Sequence, residues 1–303
     1  MPSPLIQSAI NVSEGRSLEV IAAIVESAAE TAGVTVADWS ADADHNRMVV
    51  TLLGSPGAVA RGAVAVAREA VKRIDLRHHA GAHPRLGAVD VIPLVPLRDV
   101  TVEECARVSR EIARTLGSEL ELPVYLYEAS AQPGRLLSLP DIRRGGFEGL
   151  FATPLTGLRA PDEGPAAPHP TAGAVVVGAR TPLVAYNVNL DSPDAAVAKR
   201  IAARVRAERD SNPALAGVRA LGLPLPSRGI AQVSLNLTMP DRTPLPGVFD
   251  FVRRAAADSG SEVRESEVIG LIPAASLGSE PPERILWSDY RESRILDYWM
   301  ERL

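Results

Sequence analysis

The sequence predicts an α+β fold built of two α/β sandwich halves, each with a sheet on one side and helices on the other. Three observations predict it. Short apolar runs alternate with longer amphipathic ones in the order strand, helix, strand, strand, helix, strand, and the theme returns in the second half. A proline-rich stretch divides the halves. A four-residue echo, Ala9-Ile10-Asn11-Val12 and Ala185-Tyr186-Asn187-Val188, stands near the start of each. Split βαβ units of the ferredoxin-like kind have this order of elements. A chain of 303 residues has room for two cores, and the expected domains are 1–172 and 173–303.

Each element has its own signal. Leu5 to Val12 reads as a strand that stops at Ser13-Glu14-Gly15. From Leu18 to Ala32, apolar residues recur at helical spacing (Val20, Ile21, Ile24, Val25, Ala28), and Gly33 supplies the glycine found just past a helix end. Residues 34–39 and 47–54 are rich in β-branched side chains and read as strands. Pro56 to Ile74 is a second helix, Gly87 to Pro96 a buried strand, Val102 to Leu116 a helix and Pro123 to Tyr127 a strand.

Residues 153–173 then hold Pro154, Pro161, Pro165, Pro168 and Pro170, too many for a long helix or a central strand. Composition leaves two readings open: an interdomain linker, or a backbone-lined loop that closes on a ligand. In the second half, residues 173–177 and 183–190 read as strands. Asp191-Ser192-Pro193 introduces a helix over 194–208. Residues 229–239 alternate as a strand, 248–259 are helical and 262–272 strand-like. Beyond Pro273, Arg284-Ile285-Leu286-Trp287 and Ile295-Leu296-Asp297-Tyr298-Trp299 suggest a terminal helix packing its aromatics on the body.

Composition excludes several classes. Lys and Arg number 32 against 37 Asp and Glu, a formal charge of −5, with no block of like charge. The basic face of a nucleic-acid binder is missing. Cys105 is the only cysteine, so an internal disulfide and a Cys-based zinc site are out; within its helix it reads as a small inert apolar residue. The opening residues Met1–Ser8 lack the charged and apolar regions of a signal peptide, and no run of about 18 apolar residues occurs anywhere. A cytoplasmic protein with no membrane partner is expected.

The candidate chemistry lies in His78-His79-Ala80-Gly81-Ala82-His83-Pro84-Arg85-Leu86-Gly87-Ala88-Val89-Asp90, which holds three of the five histidines. Imidazole titrates near neutrality, so such density points to metal ligation or proton transfer. His79 and His83 have the spacing of a helical zinc pair, with His45 or Asp90 conceivable as a third ligand. Gly81 and Pro84 break that helix, and no metal is expected. For acid–base work His83 is the candidate: Pro84 holds it extended, and Arg85 two residues on would share its side and lower its pKa. Asp42-Ala43-Asp44-His45-Asn46-Arg47 is a polar turn suited to a small zwitterion or heterocycle, or simply a solvated turn.

Several segments, taken in order, carry a resemblance: Asn11-Val12-Ser13-Glu14-Gly15-Arg16, Asp44-His45-Asn46-Arg47, and His79-x-Gly-x-His83-Pro84-Arg85-x-Gly87-Ala88-x-Asp90. Val124-Tyr125-Leu126-Tyr127, Pro161-Asp162-x-Gly164-Pro165, Gly178-Ala179-Arg180 and Ala185-Tyr186-Asn187-Val188-Asn189-Leu190 continue it. Ala231-Gln232-Val233-Ser234-x-Asn236-Leu237 and Gly270-Leu271-Ile272-Pro273 complete it. The chain thereby resembles the glutamate formimidoyltransferases, including the transferase half of the formimidoyltransferase-cyclodeaminases.

The resemblance implies two related subdomains flanking a ligand tunnel, pairing of protomers as homodimers, and transfer of a formimino group from N-formiminoglutamate to N5 of tetrahydrofolate in histidine breakdown. It places the catalytic histidine on His83 and the folate-contacting loop on Gly164, Pro165, Ala166, Ala167, Pro168, His169, Pro170, Thr171, Ala172 and Gly173. Ala80 and Ala82 stand where the animal enzymes have Lys and Glu, and this loop lacks their aromatics. No residues are left over for a cyclodeaminase domain, so that reaction is expected of another protein. His45, Asn46 and His79 are further substrate-site candidates, with Arg47, Arg85 and Arg180 as carboxylate binders. Two rival readings stay open: a transferase acting on another amine, such as glycine or a specialised metabolite, and a folate-binding homologue without turnover.

Overall fold

The computed structural model describes residues 3–135 and 138–303; Met1 and Pro2 of the opening segment read as leaderless, and Leu136–Leu137, lie outside them. The chain forms two compact units, Met1–Thr181 and Pro182–Leu303.

In the first unit, β1 (Leu5–Val12) leads to α1 (Leu18–Ala29), which Ser17 caps by accepting from the Val20 N–H. The helix stops short of Ala32, and Gly33 reverses the chain at φ +81°. β2 (Val34–Asp42) and β3 (Arg47–Gly54) form a hairpin. α2 (Pro56–Arg73) begins with Ser55 as cap and proline in its first turn, and β4 (Val89–Arg98) follows. β1 lies between β3 and β4, antiparallel to both, so these elements give the strand order β2-β3-β1-β4. That is the split βαβ arrangement the sequence predicts.

The unit then extends itself. α3 (Val102–Glu119), opened by a Thr101–Glu104 capping box, leads to β5 (Val124–Glu128). Short helices α4 (Leu139–Ile142) and α5 (Gly146–Ala152) precede β6 (Val175–Ala179). β6 inserts between β4 and β5, parallel to both. The boundary therefore falls at 181/182 and not at 172/173, because residues 175–179 complete the first sheet. The linker reading of 153–173 is corrected for the same reason. That segment lies within the first unit and is bonded back to it, Asp162 N–H to the Val124 carbonyl at 2.8 Å and Ala88 N–H to the Ala172 carbonyl at 2.9 Å.

α1, α2 and α3 pack on one face of this sheet, where Ile6, Ile10, Met48, Leu52, Ile92 and Val177 form the core. Strand side chains alternate between faces, so Asn11 and Arg47 project from the opposite one. Under β4, β5 and β6 that second face carries a smaller cluster, including Val91, Tyr125, Tyr127 and Val176, packed on Ile142 and Leu150 of the short helices.

The second unit repeats the first plan. β7 (Val184–Leu190), α6 (Ala195–Glu208), β8 (Val218–Leu225), β9 (Ile230–Leu237), α7 (Leu245–Asp258) and β10 (Val263–Ile269) form a sheet ordered β10-β7-β9-β8, antiparallel throughout. The sequence echo falls on β1 and β7, which hold the same place in the two topologies. β8 has no clear sequence signal, since Gly222 and Pro224 read as breakers. It is an edge strand, where proline is tolerated, and a Cβ on Gly222 would overlap the α6 backbone at Lys199.

The expected terminal helix is mostly absent. A 3-10 turn over Pro282–Ile285 and a single short helix, α8 (Leu296–Met300), replace it. The tail instead bonds the free edge of β10, Ser266 N–H to the Leu286 carbonyl at 2.8 Å, and buries Ile285 and Trp287 in the second core.

Candidate functional site

Three loops meet beyond the end of β1, and close backbone contacts hold them together. A Cβ on Gly15 would overlap the Asp42 carbonyl oxygen, one on Gly81 that of His45, and one on Gly87 that of Ala174. Glycine is therefore required at these positions by contact with neighbouring backbone. Ser13 donates through its hydroxyl to the Gly87 carbonyl at 2.7 Å, and the Ala82 N–H donates to the Asp44 carbonyl at 2.9 Å.

Asn46 joins all three. It sits in the turn between β2 and β3 at φ 47°, in the left-handed region that asparagine tolerates. Its Oδ1 accepts from the Gly15 N–H at 3.0 Å, and its Nδ2 donates to the Ala80 carbonyl at 3.2 Å. His79 reinforces the joint: its Nε2 lies 2.8 Å from the Asn46 carbonyl oxygen. A carbonyl only accepts, so that nitrogen carries the proton and His79 serves as a donor to backbone. Burial lowers its pKa. His78, by contrast, is exposed beside Asp75.

His83 emerges from this frame half-buried. Its Nε2 lies 3.2 Å from Nη1 of Arg47, which also donates to Asn11 Oδ1 at 3.0 Å. Guanidinium only donates, so Nε2 of His83 is the acceptor and the imidazole is neutral, protonated on Nδ1. Its pKa is held well below the ordinary histidine value, first by burial, then by the charges of Arg47 and Arg143 and by His45. The buried His45 ring lies 6.1 Å from that of His83, centroid to centroid.

The cation beside His83 is thus Arg47, and the part expected of Arg85 is corrected. Arg85 turns away to pair with Glu148 at 2.7 Å and donates to the His79 carbonyl at 3.0 Å, while its own carbonyl accepts from the Phe147 N–H that opens α5. It ties the histidine loop to α5. An extended backbone puts residues two apart on one side, but the chain bends here to bridge Gly87 with Gly173.

Arg143 is a site residue with no motif of its own. Its guanidinium bonds the carboxylate of Asp90, whose other oxygen accepts the Leu86 N–H at 2.7 Å. The signal was Asp90 itself: a carboxylate inside the apolar strand Val89-Asp90-Val91-Ile92 needs a buried cation. Asn11, quoted only as part of a motif, is the second such residue.

The 164–173 loop is anchored to the same stem. The backbones of His169 and Gly173 exchange hydrogen bonds at 2.9 Å, and the Leu76 N–H donates to the Thr171 carbonyl at 2.9 Å. Nδ1 of His169 accepts from the Ala172 N–H at 3.0 Å, so this imidazole closes the turn, and burial lowers its pKa. Gly164, Pro165, Ala166 and Ala167 form its exposed crest, whereas Ala172 and Gly173 are buried.

Arg180 is not brought to this cluster. It leaves the far end of β6, its N–H bonded to the Leu94 carbonyl at 3.0 Å. Five strand residues, about 16 Å at 3.3 Å each, separate that point from Val89. Cys105 is buried, and burial pushes its thiol up to about 11. Among the described residues no three His, Cys, Asp or Glu side chains converge as metal ligands, and no helix is long and apolar enough to cross a membrane.

Comparison with known proteins agrees with this arrangement of units. Residues 5–180 match the N-terminal subdomain of the formiminotransferase domain, and residues 185–279 match the formiminotransferase domain. The chain is 40% identical over 273 residues to a glutamate formimidoyltransferase of Streptococcus pyogenes serotype M1, covering 90% of each chain. It is 35% identical over 300 residues to one of Thermoplasma acidophilum, covering 98% of each. Against the formimidoyltransferase-cyclodeaminase of Sus scrofa, identity is 40% over 278 residues, 91% of this chain and 51% of that protein. Both subdomain matches and these relatives place the chain in the formiminotransferase-domain family.

Proposed function

We propose that this protein transfers the formimino group of N-formimino-L-glutamate to N5 of tetrahydrofolate, with His83 as the proton carrier. Tetrahydrofolate is the co-substrate, and the reaction belongs to histidine degradation. The observation that carries the reading is the neutral imidazole of His83, its Nε2 3.2 Å from Arg47, on a loop braced by Asn46 and three glycines.

N5 attacks the formimino carbon and a tetrahedral intermediate forms; the bond from that carbon to the glutamate nitrogen then breaks. N5 loses a proton and the leaving nitrogen gains one. One imidazole serves both transfers, first as base and then as acid. A neutral histidine with depressed pKa is ready to accept at pH 7 but must first release Arg47. A substrate carboxylate supplies the stronger partner for that guanidinium, so donor binding frees the lone pair it needs. The exposed crest of residues 164–167 is the part of the loop available to folate. In this reading the enzyme works in the cytoplasm as a homodimer.

The test is the purified protein with tetrahydrofolate and formiminoglutamate, followed by absorbance of the folate product. His83→Ala is expected to lower turnover by roughly 10²–10⁴ with little loss of binding. Near-normal turnover of that variant refutes the role of His83. Product formed only with another formimino donor, or folate binding without product, refutes the assigned reaction.

A further inference from the structure

The short helices α4 and α5 grip the histidine turn at two points. At the end of α4 the Arg143 guanidinium pairs with Asp90, and the other oxygen of that carboxylate holds the Leu86 N–H at 2.7 Å. At the start of α5, Glu148 pairs with Arg85 at 2.7 Å and the Phe147 N–H donates to the Arg85 carbonyl at 3.0 Å. Between these points the chain reverses through Gly145 and Gly146, at φ +90° and +62°. The Gly146 N–H closes the turn on the Arg143 carbonyl at 2.8 Å. Phe147 also meets the other loop, since a Cβ on Gly173 would come within 2.9 Å of its ring. Residues 143–148 therefore join the turn that carries His83 to the base of the 164–173 loop.

Stability alone does not account for the Asp90–Arg143 pair. The two side chains are 3% and 14% exposed, so both charges have given up most of their water. Arg143 Nε is buried with no hydrogen-bond partner, a further cost that an apolar pair of similar volume avoids. What the pair supplies is position: the Leu86 amide lies three residues from His83, and the carboxylate that holds it is itself held from α4. Proton transfer gives that constraint a use. In the tetrahedral intermediate N5 and the leaving nitrogen are bonded to one carbon, and a single imidazole serves both in turn. A ring displaced by about 1 Å favours one nitrogen at the expense of the other, a loss on the order of 10²-fold. The charge of Arg143 acts as well. After burial, the groups that keep His83 neutral are Arg47 of β3, then Arg143, then His45 in the turn between β2 and β3.

We propose that Arg143 is a positioning residue for the proton transfer: through Asp90 it fixes the turn that carries His83, and through the turn 143–148 it ties that imidazole to the base of the 164–173 loop. This inference rests on the formimino-transfer reading above.

The double variant Asp90→Asn with Arg143→Met tests it without stranding a buried charge. Asparagine still accepts the Leu86 N–H, so the melting temperature should stay near that of the wild type. Turnover should nevertheless fall on the order of 10²-fold with KM for both substrates kept, the pattern of an interaction needed only in the transition state. The acid limb of kcat/KM should move to higher pH, by less than in Arg47→Gln, because one of the two cations acting on the imidazole is gone. Arg143→Lys keeps the charge and should keep the limb, while recovering only part of the turnover, since an ammonium does not reproduce the planar fork. Wild-type turnover in the double variant, or a rise in KM with kcat kept, overturns the proposal. A loss of turnover that tracks melting temperature with the limb unmoved makes the pair a structural brace and overturns it too. NMR titration of the His83 imidazole, assigned with His83→Asn, needs no substrate. A midpoint raised in the double variant supports the action of Arg143 on the imidazole, and an unmoved midpoint overturns it. Wild-type protein that forms no folate product refutes the transfer reaction instead, and the titration still reads the pair.

Discussion

Replacing Asn46 with alanine tests whether the three-loop frame holds His83 in place. The substitution removes two side-chain hydrogen bonds, one to the Gly15 N–H and one to the Ala80 carbonyl. Each is worth about 0.5–1.5 kcal/mol. The two lost bonds amount to about 1–3 kcal/mol, or a fall of roughly 2–12 °C in the melting temperature of a unit this size. Alanine keeps the Cβ at φ 47° that asparagine has, without asparagine's local hydrogen bonding. Asn46→Gly loses the same bonds but sheds the roughly 1–2 kcal/mol that a Cβ costs there, so its fall should be smaller. Turnover should drop in both, on the order of 10²-fold for a displacement of about 1 Å at the imidazole. Calorimetry and steady-state turnover on the two variants provide the measurements. Equal melting temperatures for alanine and glycine would refute the strain argument. Wild-type stability and turnover in Asn46→Ala would refute the frame altogether.

Two further outcomes follow from the charges and imidazoles. Removing the cation in Arg47→Gln should let the His83 pKa rise toward its ordinary value, so the acid limb of kcat/KM moves to higher pH. Arg85→Gln should leave that limb in place, because Arg85 serves Glu148 and α5; a shift of equal size in both variants would contradict the assignment. His79, His83 and His169 all have lowered pKa values in the folded protein, chiefly through burial. The unfolded chain therefore takes up protons first as pH falls below about 6.5, and stability is full above that value and lost as pH drops toward the folded pKa values. Melting temperature should fall between pH 7.5 and 5.5, and less steeply in His83→Asn. A melting temperature that is flat or rises with acid would reverse the sign.

The sequence was most legible where local chemistry decides structure. Strands 5–12 and 47–54 appear where an apolar run ending at Ser13-Glu14-Gly15 and a β-branched run placed them, and Ser17, Ser55 and Thr101 cap the helices they precede. The histidine loop was legible through its density and its glycines, and the reason for those glycines is contact with distant backbone that no local pattern shows. Arg85 was misjudged because two-residue periodicity holds only while the backbone stays extended. Arg143 was missed because its partner, Asp90, lies more than fifty positions earlier in the chain. β8 was missed because its glycine serves a helix packed across it, a demand from tertiary structure that reads locally as a breaker. The place of β6 is likewise a matter of sheet order, which residues 153–173 do not announce.

The late arrival of β6 has a consequence for how the protein is made. Among the described residues β5 has a single neighbouring strand in its sheet, and that neighbour is β6. A ribosome that has released residues 1–172 has produced β5 with only the Asp162–Glu163 backbone against its first residue and without its partner strand, its apolar face dependent on a strand still to emerge. The first unit can close only when the chain has passed Ala179. A gene divided at the proline-rich stretch would encode a fragment with a hole in the middle of its sheet, whereas division at 181/182 leaves each strand with its partners.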